Sequence, residues 1–146
     1  MTDNFSYYGE PPQETSEMSY EEEPMGVPFG IIVDPNPYRD YSLMFDDNAL
    51  EDEFGCVYVE DALFEMWLPR TYGLETYSKS LRHPQSGIPQ YGVTILPHDT
   101  ILELIKIIID GRSVYTEEQE KATDELLELL GVAYRNDGYI ICFGEN

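Results

Sequence analysis

The sequence predicts an α+β fold. A single domain over residues 26–146 is expected, built on an antiparallel or mixed sheet of about four to five strands with two main helices on one face, and preceded by an acidic arm over residues 1–25. Three observations support this. Short apolar runs closed by Pro, Asn, Asp or Gly have the length and boundaries of strands, whereas the segments opening at Pro97 and Thr116 carry helical periodicity. A chain of 146 residues with 42% apolar and 13% aromatic content fits one ordinary core. Residues 1–25 combine Pro11-Pro12, three consecutive glutamates at 21–23 and few aliphatic side chains, too little apolar surface to offset the entropy of ordering them. Tyr7, Tyr8 and Tyr20 give this arm aromatic anchors, for a partner or for the domain itself.

The first strand is expected at Val27 to Val33, ended by Asp34-Pro35-Asn36-Pro37, a loop that cannot continue a ladder. A second is expected over Tyr41 to Phe45. Asn48 followed by Glu51 has the spacing of a capping box, and Gly55 suits the left-handed residue after a helix, which together predict a helical turn at Ala49–Phe54. Cys56-Val57-Tyr58-Val59 reads as a strand. Asp61 reads as the cap of a short helix, Ala62–Leu68, closed by Pro69. Residues 70–90, with Gly73, Pro84, Gly87 and Pro89, read as a long loop; Arg70, Lys79, Arg82 and His83 make it the one locally basic stretch.

Tyr91–Leu96 is a predicted strand, and Pro97 opens a helix on which Glu103, Lys106 and Asp110 form one narrow polar stripe, so that this helix should be largely buried. At its entry Asp99 is expected to cap backbone N–H groups, with His98 filling the turn. Thr116 and Gln119 have the spacing of a second capping box, and Ala122, Leu126, Leu129 and Leu130 supply the apolar face of the helix behind it. Gly131 is expected to stop that helix, leaving Val132–Arg135 and Tyr139–Phe143 as a hairpin around Asn136-Asp137-Gly138. The rival reading, a helix continuing through Gly131 to Tyr134, costs about 1 kcal/mol at the glycine relative to alanine.

Charge is the strongest functional signal. Residues 1–69 hold 17 acids against a single base, Arg39, a net of −16, whereas residues 70–146 hold 12 acids and seven bases, a net of −5. A one-signed field attracts basic partners and repels nucleic acid and anionic membranes. The most apolar stretch, Ile101–Ile109, is interrupted by Glu103 and Lys106 and is too short to span a bilayer. The N-terminus lacks a basic, apolar leader, so a cytoplasmic protein is expected, with Cys56 and Cys142 as reduced, buried thiols.

Enzyme motifs are missing from the sequence: there is no Gly-rich phosphate loop, His-Glu-x-x-His, Cys-x-x-Cys or Gly-x-Ser-x-Gly. Asp34, Asn36 and Asp40, and then Asp46, Asp47 and Asn48, offer oxygen ligands. Neither group has the register of a calcium loop, which would put Gly at the sixth position and Glu at the twelfth. No cofactor or metal is therefore called for. The acids from Asp40 to Glu65 run without a single base among them and alternate with aromatic residues such as Tyr41, Phe45, Phe54 and Tyr58. Such a surface can imitate a phosphate array and compete for a protein built to hold DNA or RNA.

The expected function is accordingly not enzymatic. The sequence suggests an acidic inhibitor that occupies the basic, nucleic-acid-facing surface of a partner protein, such as a nuclease, in the manner of a nucleic-acid mimic, a phage anti-defence protein or an immunity protein. Asp46, Asp47, Glu51, Asp52, Glu53, Glu60 and Asp61 are its candidate contacts. Two alternatives use the same residues differently: a metal-dependent enzyme in which carboxylates converge, and an adaptor whose acidic arm folds on a partner.

Overall fold

The computed structural model describes residues 26–43 and 47–145. Among them six strands form one antiparallel sheet: β1 (Val27–Ile32), β2 (Val57–Val59), β3 (Glu75–Ser78), β4 (Pro84–Ser86), β5 (Tyr91–Leu96) and β6 (Tyr139–Gly144). They are ordered β2-β1-β6-β5-β3-β4. Four α-helices accompany them: α1 (Asp47–Phe54), α2 (Asp61–Trp67), α3 (His98–Asp110) and α4 (Glu117–Arg135). The α+β class holds, with six strands rather than four to five. The predicted arm lies outside the described residues.

The C-terminal strand β6 is the centre of the sheet, paired with β1 through Phe29↔Cys142 and Ile31↔Ile140, and with β5 through Thr94↔Cys142 and Leu96↔Ile140. Ile140, Ile141 and Cys142 are all fully buried. A continuous apolar run suits a strand covered on both faces, and both faces here are covered. On one side Val27, Phe29, Leu96, Ile140 and Cys142 meet α2, α3 and α4. On the other Ile32, Ile95 and Ile141 meet Leu50 and Phe54 of α1 together with Tyr41. So α3 and α4 do share a face, while α1 builds a second, thinner layer behind it.

Gly30 marks how close that thin layer comes. A Cβ built there would lie 2.5 Å from Cβ of Phe54 and 3.0 Å from Sγ of Cys56, so only glycine lets α1 and its exit reach the strand.

Several local expectations are corrected. Residues 70–90 are not a loop throughout: β3 and β4 form a hairpin at the sheet edge, with Tyr77↔Pro84 in register. Its strands are polar and short, and its proline sits in an edge strand where a missing N–H costs least. Thr76 is buried and donates its hydroxyl to Gly87 O at 2.7 Å. Tyr41–Leu43 is a 3-10 turn rather than a strand, anchored by Tyr41 N donating to Lys79 O at 2.8 Å; residues 44–45 lie outside the described residues. The helix at Ala49–Phe54 starts two residues earlier, at Asp47, and Gly55 follows it with φ of 61°; the Asn48 side chain lies outside what is described. The cap position of α2 is Glu60 rather than Asp61, and no side chain caps it.

The helix α4 also departs from expectation. It passes through Gly131 and ends at Arg135, so Val132–Arg135 is not a strand. The left-handed residue is Asp137, φ 57°, after which Gly138 N bonds back to Ala133 O at 2.8 Å; Asp-Gly therefore joins helix to strand rather than strand to strand. Continuing the helix buries Ala133 below Leu126 and Leu130, extending the packed stripe by a further turn. That burial, with the backbone bonds of the extra turn, offsets the glycine cost of about 1 kcal/mol. The start of α4 is as expected: Thr116 Oγ1 accepts from Gln119 N at 3.1 Å, and Gln119 Oε1 accepts from Thr116 N at 3.0 Å.

The helix α3 buries Ile101, Leu104 and Ile108 but leaves Leu102 39% and Ile109 49% exposed, so it is less enclosed than its narrow polar stripe implied. Its cap position is Pro97, and Asp99 makes no capping bond. His98 instead ties the start of α3 to the end of α4. Its ring stacks on Tyr134 at 4.5 Å, Nε2 donates to Tyr134 O at 2.8 Å, and Nδ1 lies 3.3 Å from Asp99 Oδ1. At the far end of the pair, Trp67 Nε1 donates to the Tyr115 hydroxyl, which donates to Ile108 O, each at 2.7 Å.

Two outcomes follow from this packing. Gly30→Ala forces β1 and α1 apart and should cost about 1–3 kcal/mol of unfolding free energy, read by urea denaturation; an unchanged midpoint would contradict the close approach. The backbone bond to Tyr134, with Asp99 and Asp137 nearby, raises the His98 pKa in the folded state. Its contribution is fully present below the unfolded value of about 6.5 and is lost as pH rises through the higher folded value. Thermal melts of the protein and of His98→Gln should therefore differ more at pH 5.5 than at pH 8.5, and a gap that widens with pH would refute this contact.

Candidate functional site

The predicted contact residues do not gather in one pocket. Asp46 lies outside the described residues, and Asp47 is the first residue of α1. Glu51, Asp52 and Glu53 are exposed on α1, against one face of the sheet. Glu60 and Asp61 are exposed at the start of α2, on the other face and past the far end of β2. Two of the set are engaged within the protein. Glu53 takes both guanidinium nitrogens of Arg39, with Nη2 donating to Oε1 at 3.0 Å, and this pairing holds the Glu53 carboxyl below the usual range. Glu60 Oε1 accepts from Gln119 Nε2 at 2.8 Å.

The sheet edge at β2 is where these acids and others meet. The strand β2 is only three residues long and pairs with Val27, Pro28 and Phe29, so the second half of β1 extends beyond it. Over that stretch lies a concave surface centred on Ile31. One part of it, about 520 Å³, is lined by Ile31, Val33, Phe54 and Val132 among others. It continues along α4 past Val57 and Leu129. Glu53 rims it from the α1 side, and Glu125 and Glu128 from the α4 side. Those two glutamates were not among the sequence-predicted contacts, because α4 carries ordinary mixed charge and only the sheet order brings it to the β2 edge. Their spacing beside Leu129 and Val132 was the available signal, a charged row next to an apolar row on one helix flank.

The opposite edge holds the basic residues, with Asp40 close to Lys79 and His83 and exposed Glu75 on β3 among them. Lys79, Arg82 and His83 sit in and beside the turn between β3 and β4, at the far side of the sheet. The guanidinium of Arg82 lies 5.9 Å from the Tyr38 ring centre. Glu53, Glu125 and Glu128 thus rim the β2 edge, while Lys79, Arg82 and His83 stand at the β4 edge beside Asp40.

The oxygen groups that invited a calcium reading serve their own turns. Asn36 Oδ1 accepts from Tyr38 N at 2.8 Å, and Asp40 Oδ1 accepts from Ser42 N and Oγ at 2.9 and 2.5 Å, which lowers the Asp40 pKa. Among the described residues no three His, Cys, Asp or Glu side chains come together as metal ligands. Burial pushes the Cys142 thiol up to about 12, which keeps it protonated at neutral pH, and Cys56 donates to Leu50 O at 3.7 Å; the two do not form a disulfide. No helix among the described residues is long and apolar enough to cross a membrane.

One pair of carboxyls does converge. Glu65 on α2 faces Glu145, and Gln90 Nε2 donates to Oε2 of the first at 3.3 Å and to Oε1 of the second at 3.1 Å. Hydrogen bonding and repulsion from Glu145 hold the Glu65 carboxyl above the usual range. The raised pKa stabilises the fold below the unfolded value of about 4.3, and that contribution is lost as pH rises through the folded value. Glu65→Gln should accordingly raise the melting temperature at pH 8 and change it little at pH 4; a lower melting temperature at pH 8 would rule out the repulsion. Compared with protein-family models, with curated protein sequences and with solved structures, the chain matches none.

Proposed function

We propose that this protein is an acidic binding protein that occupies a basic, nucleic-acid-facing surface of a partner protein, as an inhibitor or immunity-type protein does, and that it works without catalysis in the cytoplasm. The observation that carries the reading is the charge asymmetry across the sheet. Glu51, Asp52 and Glu53 on one face, Glu60 and Asp61 on the other, and Glu125 and Glu128 on α4 surround a single edge, while Lys79, Arg82 and His83 stand at the opposite one. Exposed like charges lower one another's cost only by facing solvent or a basic partner. An array of this kind accelerates association with a basic surface and competes there with the phosphates of DNA or RNA.

The carboxylates diverge from one another over two faces of the sheet, which suits a broad contact better than a reaction centre. A metal-dependent enzyme has no comparable support.

The test is capture of basic nucleic-acid-binding proteins at low salt, followed by elution with salt and with duplex DNA. With a captured partner in hand, Glu51→Lys combined with Asp52→Lys should slow association by about tenfold at low ionic strength, change dissociation little, and lose its effect in high salt. Retention that survives both DNA competition and high salt would reject the mimicry reading. If deleting residues 1–25 abolishes capture while the double lysine variant leaves it intact, the arm is the binding element and the adaptor reading replaces this one.

A further inference from the structure

The open half of β1 adds a specific mode of contact to that charge pattern. Gly30, Ile31 and Ile32 pair with β6 on one side, whereas the ladder to β2 stops at Phe29↔Val57. The direction of the peptide groups can be followed across the sheet. Lys79 N donates to Val93 O, so odd residues of β5 turn their peptide groups towards β3, and Thr94 and Leu96 turn theirs towards β6. Through Thr94↔Cys142 and Gly30↔Ile141 the alternation gives Gly30 and Ile32 to β6 and directs Phe29 and Ile31 the other way. Phe29 meets Val57, and the Ile31 N–H and C=O point past the end of β2 into the groove.

We propose that this edge accepts an extended segment of the partner as an added antiparallel strand, an aliphatic segment interspersed with Lys or Arg. Two features fix that chemistry. The floor of the groove is apolar, from Ile31, Val33, Phe54, Leu129 and Val132, with Val33 75% exposed, so it takes alternate aliphatic side chains. The rim is acidic, from Glu53, Glu125 and Glu128, with Asp34 at its end; among the described lining residues the one cation is Arg39, which Glu53 already holds. Side chains at the strand's margin therefore meet carboxylates on both sides of the sheet. A second copy of the same edge would bring two acidic rims together, and the chain's own residues 1–25 carry seven acids and no base, so both are repelled. The proposal rests on the proposed function only for the sign of the partner's charge.

The probe is a short synthetic peptide alternating valine and lysine, titrated into the full chain and followed by amide NMR. Binding should shift the Ile31 amide and slow its exchange with solvent. N-methylating alternate backbone nitrogens, which removes strand pairing and keeps the charge, should weaken binding by about tenfold or more. Glu125→Lys with Glu128→Lys, both exposed positions, should weaken it about as much. Equal affinity for the N-methylated peptide would overturn strand addition and leave the electrostatic reading standing. Failure to bind the valine–lysine peptide, in a protein that still captures basic nucleic-acid binders, would overturn it in the same way; failure in both assays would remove both readings. Ile31 protection that instead grows with protein concentration alone, alongside faster sedimentation, would put a second copy in the groove. Peptide binding that emerges only after removal of residues 1–25 would put the chain's own arm there, and either result overturns the proposal.

Discussion

The structure depends on burying β6 from both sides. Ile140, Ile141 and Cys142 point alternately to the two faces, and every one of them is fully enclosed. A strand of this kind is stable only where each face has its own cover, since burying a side chain of this size contributes about 1.5–3 kcal/mol and exposing it forfeits that. The face towards α3 and α4 has ample material. The other face is covered by Leu50 and Phe54 of an eight-residue helix and by Tyr41 from a single 3-10 turn. An eight-residue helix has little intrinsic stability, so its place is set by packing and by closures such as the Arg39–Glu53 pair. Glu53, one of the predicted contact residues, therefore both rims the groove and pairs with Arg39 across the thin layer.

The legibility of the sequence followed local chemistry. Strands β1, β2, β5 and β6 and the start of α4 were readable because β-branched runs, breakers and a capping box act over a few neighbouring residues. What failed were features decided by distant partners. Gly131 resembles a helix stop until the sheet beneath Ala133 is present to compensate it. The β3–β4 hairpin has little hydrophobic alternation, because its ordering comes from the buried hydroxyl of Thr76 and from pairing with β5. Helix α3 was read as nearly enclosed because composition alone does not distinguish the face that meets β6 from the face that carries Leu102 and Ile109.

The candidate site was legible to a lesser degree, for the same reason. Acidity along the chain identified α1 and the start of α2 but not their relation in space. Sheet order β2-β1-β6 brings α4 alongside β2, and only then do Glu125 and Glu128 join the acids of the first half. The concave surface between them depends on β2 being three residues shorter than β1, and strand length is among the least readable properties of a sequence.

Charge at this edge also has a consequence for the protein in isolation. An exposed strand edge with an aliphatic floor is a template for pairing with any extended chain, itself included. Carboxylates on both rims raise the cost of self-pairing, because two copies meeting there would oppose acid to acid across the new ladder. The same groups lower the cost of meeting a basic strand. Discrimination thus comes from repulsion as much as from attraction, and the apolar floor can be kept without making the surface indiscriminate. Under the proposed strand addition, the acids of the rim and the shortness of β2 are parts of one arrangement: an edge left open, and guarded by charge against partners of the wrong sign.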